Sequence, residues 1–257
     1  MRPTRFASMV AVAVVLNAVA SEARRCPSDS VQVGEVCVDR YEASVWETTD
    51  AATINKIQRG KIRGAADLVA AAQHGAASND YGVGCPNTGE GCVNFYAVSV
   101  VGTTPSAYAT WFQAAAACRN SNKRLATNQE WQMAALGTPN PGTDNGMTDC
   151  NVSSASAVVA TGSRVNCLSD VVAADMVGNL AEWVADWVPR STNCLGWGVF
   201  STDAMCFAGA ATTGFGPGAL IRGGSFLGAA GVFQVSGFVA PSSGFNSSVG
   251  FRCARHP

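Results

Sequence analysis

Apolar and polar residues alternate from Cys26 to Trp46 (CPSDSVQVGEVCVDRYEASVW) on either side of Gly34, the period of half-buried strands, and so predict a short hairpin. From Glu47 to Cys92 the alternation gives way to Ala, Gly and Thr. This stretch offers only a weak helix at Ala65 to Gln73 and a loop bounded by cysteines, CPNTGEGC, so residues at about 48–92 read as an insertion without a core of its own. Helical spacing then returns. Thr104 is placed to cap a helix and Pro105 suits its first position, while Tyr108, Trp111, Phe112, Ala115 and Cys118 recur on one face. In a second helix Thr127-Asn128-Gln129-Glu130 forms a capping box, Trp131 and Ala134 to Leu136 supply apolar content, and Gly137 ends it. Pro139 to Ala174 is loop-rich, and Asp175 to Pro257 holds short apolar runs punctuated by glycine, as strands of a twisted sheet would.

The pattern at the N-terminus has a different meaning. Arg2 and Arg5 precede an apolar run from Phe6 to Ala20, and Ala18-Val19-Ala20 puts small residues where a signal peptidase reads. That run is shorter than the roughly 20 residues that span hydrocarbon, and no later stretch is long enough. Residues 1–20 are therefore expected to be a cleaved signal peptide. The expected product is one domain, 21–257, without a membrane span and exported to the periplasm, the cell surface or the medium.

Charge narrows the functions open to the chain. Lys and Arg total 17 against 18 Asp and Glu, so there is no basic excess to attract nucleic acid. His74 and His256 are the only histidines, too few for a three-His metal site. All 10 cysteines follow the signal segment, and an even number in an oxidising compartment reads as a disulfide framework. Many pairings are open. Proximity in sequence suggests Cys26 with Cys37, Cys85 with Cys92, Cys150 with Cys167 and Cys194 with Cys206, which leaves Cys118 with Cys253. The last pair would close a long loop, worth roughly 4–5 kcal/mol in the chain-entropy model. A zinc site is disfavoured because no C-x-x-C spacing occurs.

Four ordered segments resemble the formylglycine-generating enzyme family, the sulfatase-modifying factors. They are VDRYEAS (Val38 to Ser44), NKRLATNQEWQMAALG (Asn122 to Gly137), DMVGNLAEWVADW (Asp175 to Trp187), and IRGGSF with GFRCAR (Ile221 to Phe226, Gly250 to Arg255). The resemblance implies an α+β fold of the C-type lectin-like kind, with two main helices, short twisted antiparallel strands, many loops and several disulfides. It also supports the pairing of Cys118 with Cys253. Arg124, Arg222 and Arg252 are expected to lock loops through their fixed donor forks, and Gly223 and Gly224 to allow backbone geometry that a Cβ would obstruct.

The same motifs carry the candidate chemistry. In DMVGNLAEW the carboxylates of Asp175 and Glu182, with the carbonyls of Gly178 and Leu180, form the oxygen-only set that suits Ca²⁺, and the resemblance implies a structural calcium site there. The competing reading pairs Glu182 with a core arginine. Family members hold copper on two cysteines shortly after R-G-G-S, since soft thiolates suit Cu(I). Gly228 and Phe233 stand at those positions here, so no copper and no family oxidase activity are expected, although Ser225 is retained. A binding protein is the leading expectation. The uncharged stretch from Phe226 to Val249 mixes aromatics with small polar residues, as recognition loops do, and its layout resembles the target proteins of diversity-generating retroelements. Leu227, Phe238, Val239, Ser243, Phe245, Asn246, Ser247 and Ser248 are the candidate ligand-facing residues, with Phe238, Val239 and Phe245 in exposed loops and the partner an unknown protein or surface ligand. The alternatives are a family enzyme with a divergent active site and a structural envelope protein.

Overall fold

The computed structural model describes residues 26–140, 144–189, 195–196, 204–206, 217–228, 230–238 and 246–257. The predicted hairpin is present: β1 (Ser30–Val33) pairs antiparallel with β2 (Val36–Asp39) about Gly34, which takes the positive φ of 58° that the tight turn needs. There follow β3 (Ala43–Glu47), α1 (Ala51–Gln58), β4 (Ala72–His74), β5 (Phe95–Ser99), α2 (Trp111–Asn120), β6 (Arg124–Leu125) and α3 (Asn128–Ala134). The C-terminal half contributes β7 (Ala181–Pro189), β8 (Leu195–Gly196), β9 (Ala204–Cys206), β10 (Pro217–Arg222), β11 (Val235–Phe238), β12 (Val249–Phe251) and β13 (Cys253–Arg255). Sheets run in the orders β1-β2-β13-β6, β12-β7-β10-β11-β9-β8 and β4-β3-β5, an α+β arrangement as expected. Most pairings are antiparallel, as expected, while β12 with β7 and β11 with β9 are parallel.

The strand β7 divides the core because successive side chains point to opposite faces. Trp183 packs with Phe95, Ala117 and Phe251 on one side, and Val184 with Val38, Trp131 and Leu220 on the other. The last strand, β13, lies between β2 and β6, so Cys253 to Arg255 are built into the N-terminal sheet, while the preceding Gly250 and Phe251 pair with β7 in the six-stranded one. Disulfides Cys26–Cys37, Cys85–Cys92, Cys150–Cys167 and Cys118–Cys253 are all formed, the last across 135 residues. The Cys194–Cys206 pairing and residues 1–20 lie outside the described residues. Among those described, no helix is long and apolar enough to cross a membrane.

The helix predicted from Thr104 begins later, at Trp111. Thr110 caps it, its hydroxyl accepting from the Gln113 amide while the Gln113 side chain accepts from the Thr110 amide. The preceding residues are held extended by tertiary bonds. Ser106 Oγ donates to the His74 carbonyl and accepts from the Val45 amide, and Tyr108 sits at a φ of 60°, which no right-handed helix accommodates. The second helix follows its capping box at Thr127 and Glu130, as predicted.

The insertion departs most from expectation. The weak helix at Ala65 to Gln73 is instead a 3₁₀ turn at Ala65–Leu68 followed by β4, and the true helix, α1, is capped by Asp50 accepting from the Thr53 amide at 2.7 Å. The segment does have apolar anchors. Ile57, Ile62 and Leu68 cover Trp46, Tyr96 and Val98, the outer face of β3 and β5, as a satellite cluster.

Candidate ligand-binding site

Three arginines fix the loops from which the site is made. Arg252, fully buried, donates through Nε and Nη2 to both oxygens of Glu182 (2.7 and 2.6 Å) and to the carbonyls of Asp39, Arg40 and Ala174. Arg222 reaches the carbonyls of Gln234 and Val232 and the side chains of Asn128 and Gln132, with its guanidinium 4.6 Å over the Trp131 ring. Arg124 forks onto both oxygens of Glu130. The scaffold role expected of all three is observed. Gly223 is required as well, because a Cβ there would lie 2.8 Å from the Met176 carbonyl and 3.1 Å from Trp131.

The Asp175 to Glu182 turn meets this frame from the other side. Glu182 has both oxygens taken by Arg252, and Oε2 also accepts from Trp131 Nε1 at 2.8 Å, so the alternative pairing with a core arginine is what the structure contains. One Asp175 oxygen accepts from the Gly162 amide at 2.7 Å. Burial pushes the Asp175 carboxyl up to about 6 and, together with repulsion from Asp175 and Glu182, holds Glu42 well above the usual carboxylate range. Among the described residues no three His, Cys, Asp or Glu side chains are grouped to hold a metal. Asp175, Gly178 and Leu180 thus lie on one turn that leads into β7, where Glu182 sits, and the two carboxylates are bonded within the protein.

Asn179, which sequence reasoning treated only as a turn former, is the hub of the turn. It is buried with a φ of 53°. Its Oδ1 accepts from the Val159 amide and Asn151, its Nδ2 donates to Glu42 and the Val159 carbonyl, and its carbonyl accepts from the Phe226 amide. One side chain and its own carbonyl therefore tie the loop-rich 151–159 segment to the segment after R-G-G-S.

Between those two segments is a cavity of about 460 Å³. Leu227 and Ser247, both predicted ligand-facing residues, line it together with Phe226, Ala76, Ala77, Thr104, Ala107, Tyr108 and Ser156 to Val158. Leu227 is 69% exposed at its rim. Tyr108 is the only ionisable side chain among the lining residues; the rest are apolar or carry hydroxyls. The wall from the insertion is held closely. Ala107 donates its amide to Gly75, Tyr81 Oη donates to the Ala107 carbonyl at 3.1 Å, and a Cβ on Gly75 would collide with both Tyr81 and Ala107. Sequence reasoning missed Thr104, Tyr108 and the 156–158 wall, because segments so far apart in the chain carry no local sign of meeting.

The other candidates fall in different places. Phe238 is not in a loop: it ends β11, half-buried, with its ring 5.8 Å from that of Trp183. Pairing with Ala219 on β10 draws it onto the sheet face that covers the core. Ser248 is half-buried in a 3₁₀ turn at Asn246–Ser248. Val239, Ser243 and Phe245 and the side chain of Asn246 lie outside the described residues. Gly228 has a φ of 100° and donates its amide to the Ser225 carbonyl, while Ser225 Oγ accepts from the Leu227 amide at 3.3 Å. Phe233 packs half-buried on the cluster that contains Trp131.

The model of the sulfatase-modifying factor enzyme 1-like domain matches residues 17–257. No curated protein sequence matches the chain. Among solved structures, the Major Tropism Determinant I1 variant is 16% identical over 90% of this chain and 53% of its own, with a TM-score of 0.49. The U1 variant has the same identity and coverage at a TM-score of 0.47, so this chain spans about half the length of those proteins. CarF is 14% identical over 86% of each chain, with a TM-score of 0.42. At these identities the likeness is one of fold alone. With its four ordered motifs and a family match over nearly its whole length, the chain belongs to the sulfatase-modifying factor, or formylglycine-generating enzyme, family.

Proposed function

We propose that this chain is an exported ligand-binding member of its family without copper-dependent oxidase chemistry, and that the cavity between Leu227, Ser247 and Tyr108 is its binding site. The observation that carries the reading is that cavity. Residues from both ends of the segment between R-G-G-S and G-F-R line one uncharged pocket, while Gly228 and Phe233 occupy the positions of the family's thiolate pair. A hydrogen and a phenyl ring supply no ligand for a redox metal. Without an acid–base pair the lining suits recognition: Leu227 and Phe226 offer contact area, and the hydroxyls of Thr104, Tyr108, Ser156 and Ser247 offer adaptable hydrogen bonds. The four disulfides support export, because such bonds persist in oxidising compartments.

Two measurements test this. Purified protein incubated with a Cys-containing sulfatase peptide, copper and O₂ should yield no aldehyde; turnover would overturn the reading. Resequencing codons 226–249 in sibling isolates should show replacements concentrated at Leu227, Ser247 and their neighbours while Arg222, Gly223 and Arg252 stay fixed, as expected of a diversified receptor. Uniform variation along the chain would count against it. Glu182 is bonded to Arg252 through both oxygens, so a structural calcium at Asp175, Gly178, Leu180 and Glu182 would share that carboxylate with the arginine.

A further inference from the structure

A second surface, sharing no lining residue with the cavity above, is strongly basic. The run Lys56 to Arg63 (KIQRGKIR) places four cations in one turn of chain at the end of α1, in a protein whose charges otherwise nearly balance. Its apolar residues explain the display. Ile57 and Ile62 are buried in the satellite cluster, and Lys56, Arg59, Lys61 and Arg63 are consequently turned to solvent. The turn lies close against the N-terminal segment: Gly60 has a φ of 63°, and a Cβ on it would stand 2.4 Å from Asp29 Oδ1 and 2.6 Å from Pro27 Cβ. Between turn and segment runs a trough of about 650 Å³. Ser28 and Arg63 also line a second depression of about 420 Å³ that contains Arg40, so the two are contiguous.

The nearby acids are already occupied. Asp29 is held by Lys123 at 3.1 Å and Arg255 at 2.6 Å, and Asp67 accepts from Lys56 Nζ and the Arg63 amide. Arg40, Arg59, Lys61 and Arg63 make no ion pair among the described residues, and Arg40 Nε is buried without a hydrogen-bond partner. Unpaired cations on one short turn repel one another, and an external anion would relieve that repulsion. Cations strung along a trough match repeated anionic groups better than one compact anion. Tyr41 is the only aromatic lining residue of either depression, which leaves few platforms for stacked bases. A concave floor also fits a chain better than a plane of headgroups. We propose that this trough binds an acidic polysaccharide.

Titration of the full-length mature protein with size-defined heparin and oligo-alginate probes, by calorimetry at low and moderate NaCl, tests the assignment. Saturable binding is expected, weakening about tenfold or more as salt rises. The Arg59→Glu/Lys61→Glu/Arg63→Glu variant should lose about tenfold or more in affinity with an unchanged Tm, while Arg59→Lys/Arg63→Lys stays within about threefold. Leu227→Asp should leave this binding unaltered, which separates the trough from the cavity. Equal affinity in the charge-reversed variant, or tighter binding to anionic vesicles or an oligothymidylate of matched charge, would overturn the proposal.

Discussion

The frame around Arg252 and the rim around Leu227 differ in how many partners each residue has. Arg252 makes five hydrogen bonds to three separate chain segments, and Asn179 ties four groups together, both fully buried. Leu227 and Ser247 are exposed and line the cavity. Substitution in the frame leaves a charge or an amide without a partner in low dielectric, whereas substitution on the rim changes only what meets solvent. A scaffold of this kind can hold a binding surface constant in shape while its contact residues vary.

Removing the guanidinium should break the comparison most severely. Arg252→Met leaves Glu182 buried without its cation beside Glu42 and Asp175, and is expected to cost about 3–5 kcal/mol, a fall in Tm of roughly 10 °C on thermal unfolding. Asn179→Ala removes the side-chain bonds to Asn151, Val159 and Glu42, though not the main-chain bonds to Asn151 and Phe226, and about 1–3 kcal/mol of stability with them. This variant should also weaken any ligand bound by the cavity, as a direct rim substitution would.

Acidity sharpens the difference in a graded way. Asp175, raised to about 6 in the folded state, and Glu42, also raised, bind protons more readily folded than unfolded. Their contribution is therefore present at low pH and lost as pH rises through the folded values. Asp29, Glu130 and Asp144 are shifted down, and their contribution is lost as pH falls below the usual carboxylate range. The Tm is expected to be higher near pH 5 than at neutral pH and to drop in stronger acid, and Asp175→Asn should flatten the slope between pH 5 and 7. A Tm that climbs steadily to neutrality in the wild type would contradict the buried carboxylate cluster.

The smallest effects belong to the rim. Leu227→Asp should change unfolding free energy by less than about 0.5 kcal/mol while abolishing ligand binding at the cavity. Removing divalent cations with a chelator should move the Tm by no more than about 1 °C. A larger loss would support Asp175 and Glu182 as calcium ligands.

Local chemistry made much of this legible in advance. The hairpin about Gly34, the capping box of Thr127 and Glu130, the three disulfides between near neighbours and the locking role of Arg124, Arg222 and Arg252 all follow from residue types at short or distinctive spacing, whereas Cys118–Cys253 was supported by the family resemblance. The start of α2 was not legible, since Thr104-Pro105 is as good a local cap as Thr110 until Ser106 bonds to β3 and His74. Phe238 was misplaced for a similar reason: Pro, Ser and Gly surround it in sequence, but its strand pairing draws it onto Trp183. In the insertion, Asp50 before Ala51 was a usable cap signal that the composition of the segment obscured.

By itself the sequence determined the family, the crosslinks that could be paired by proximity and the absence of thiols at Gly228 and Phe233, because each is written in the identity of single residues or short motifs. Only the tertiary structure decided that Asn179 is a hub, that Glu182 belongs to Arg252, and that Leu227, Tyr108 and Val158 face one cavity. Such meetings depend on where distant segments come to rest, and the packing of the whole core sets that position.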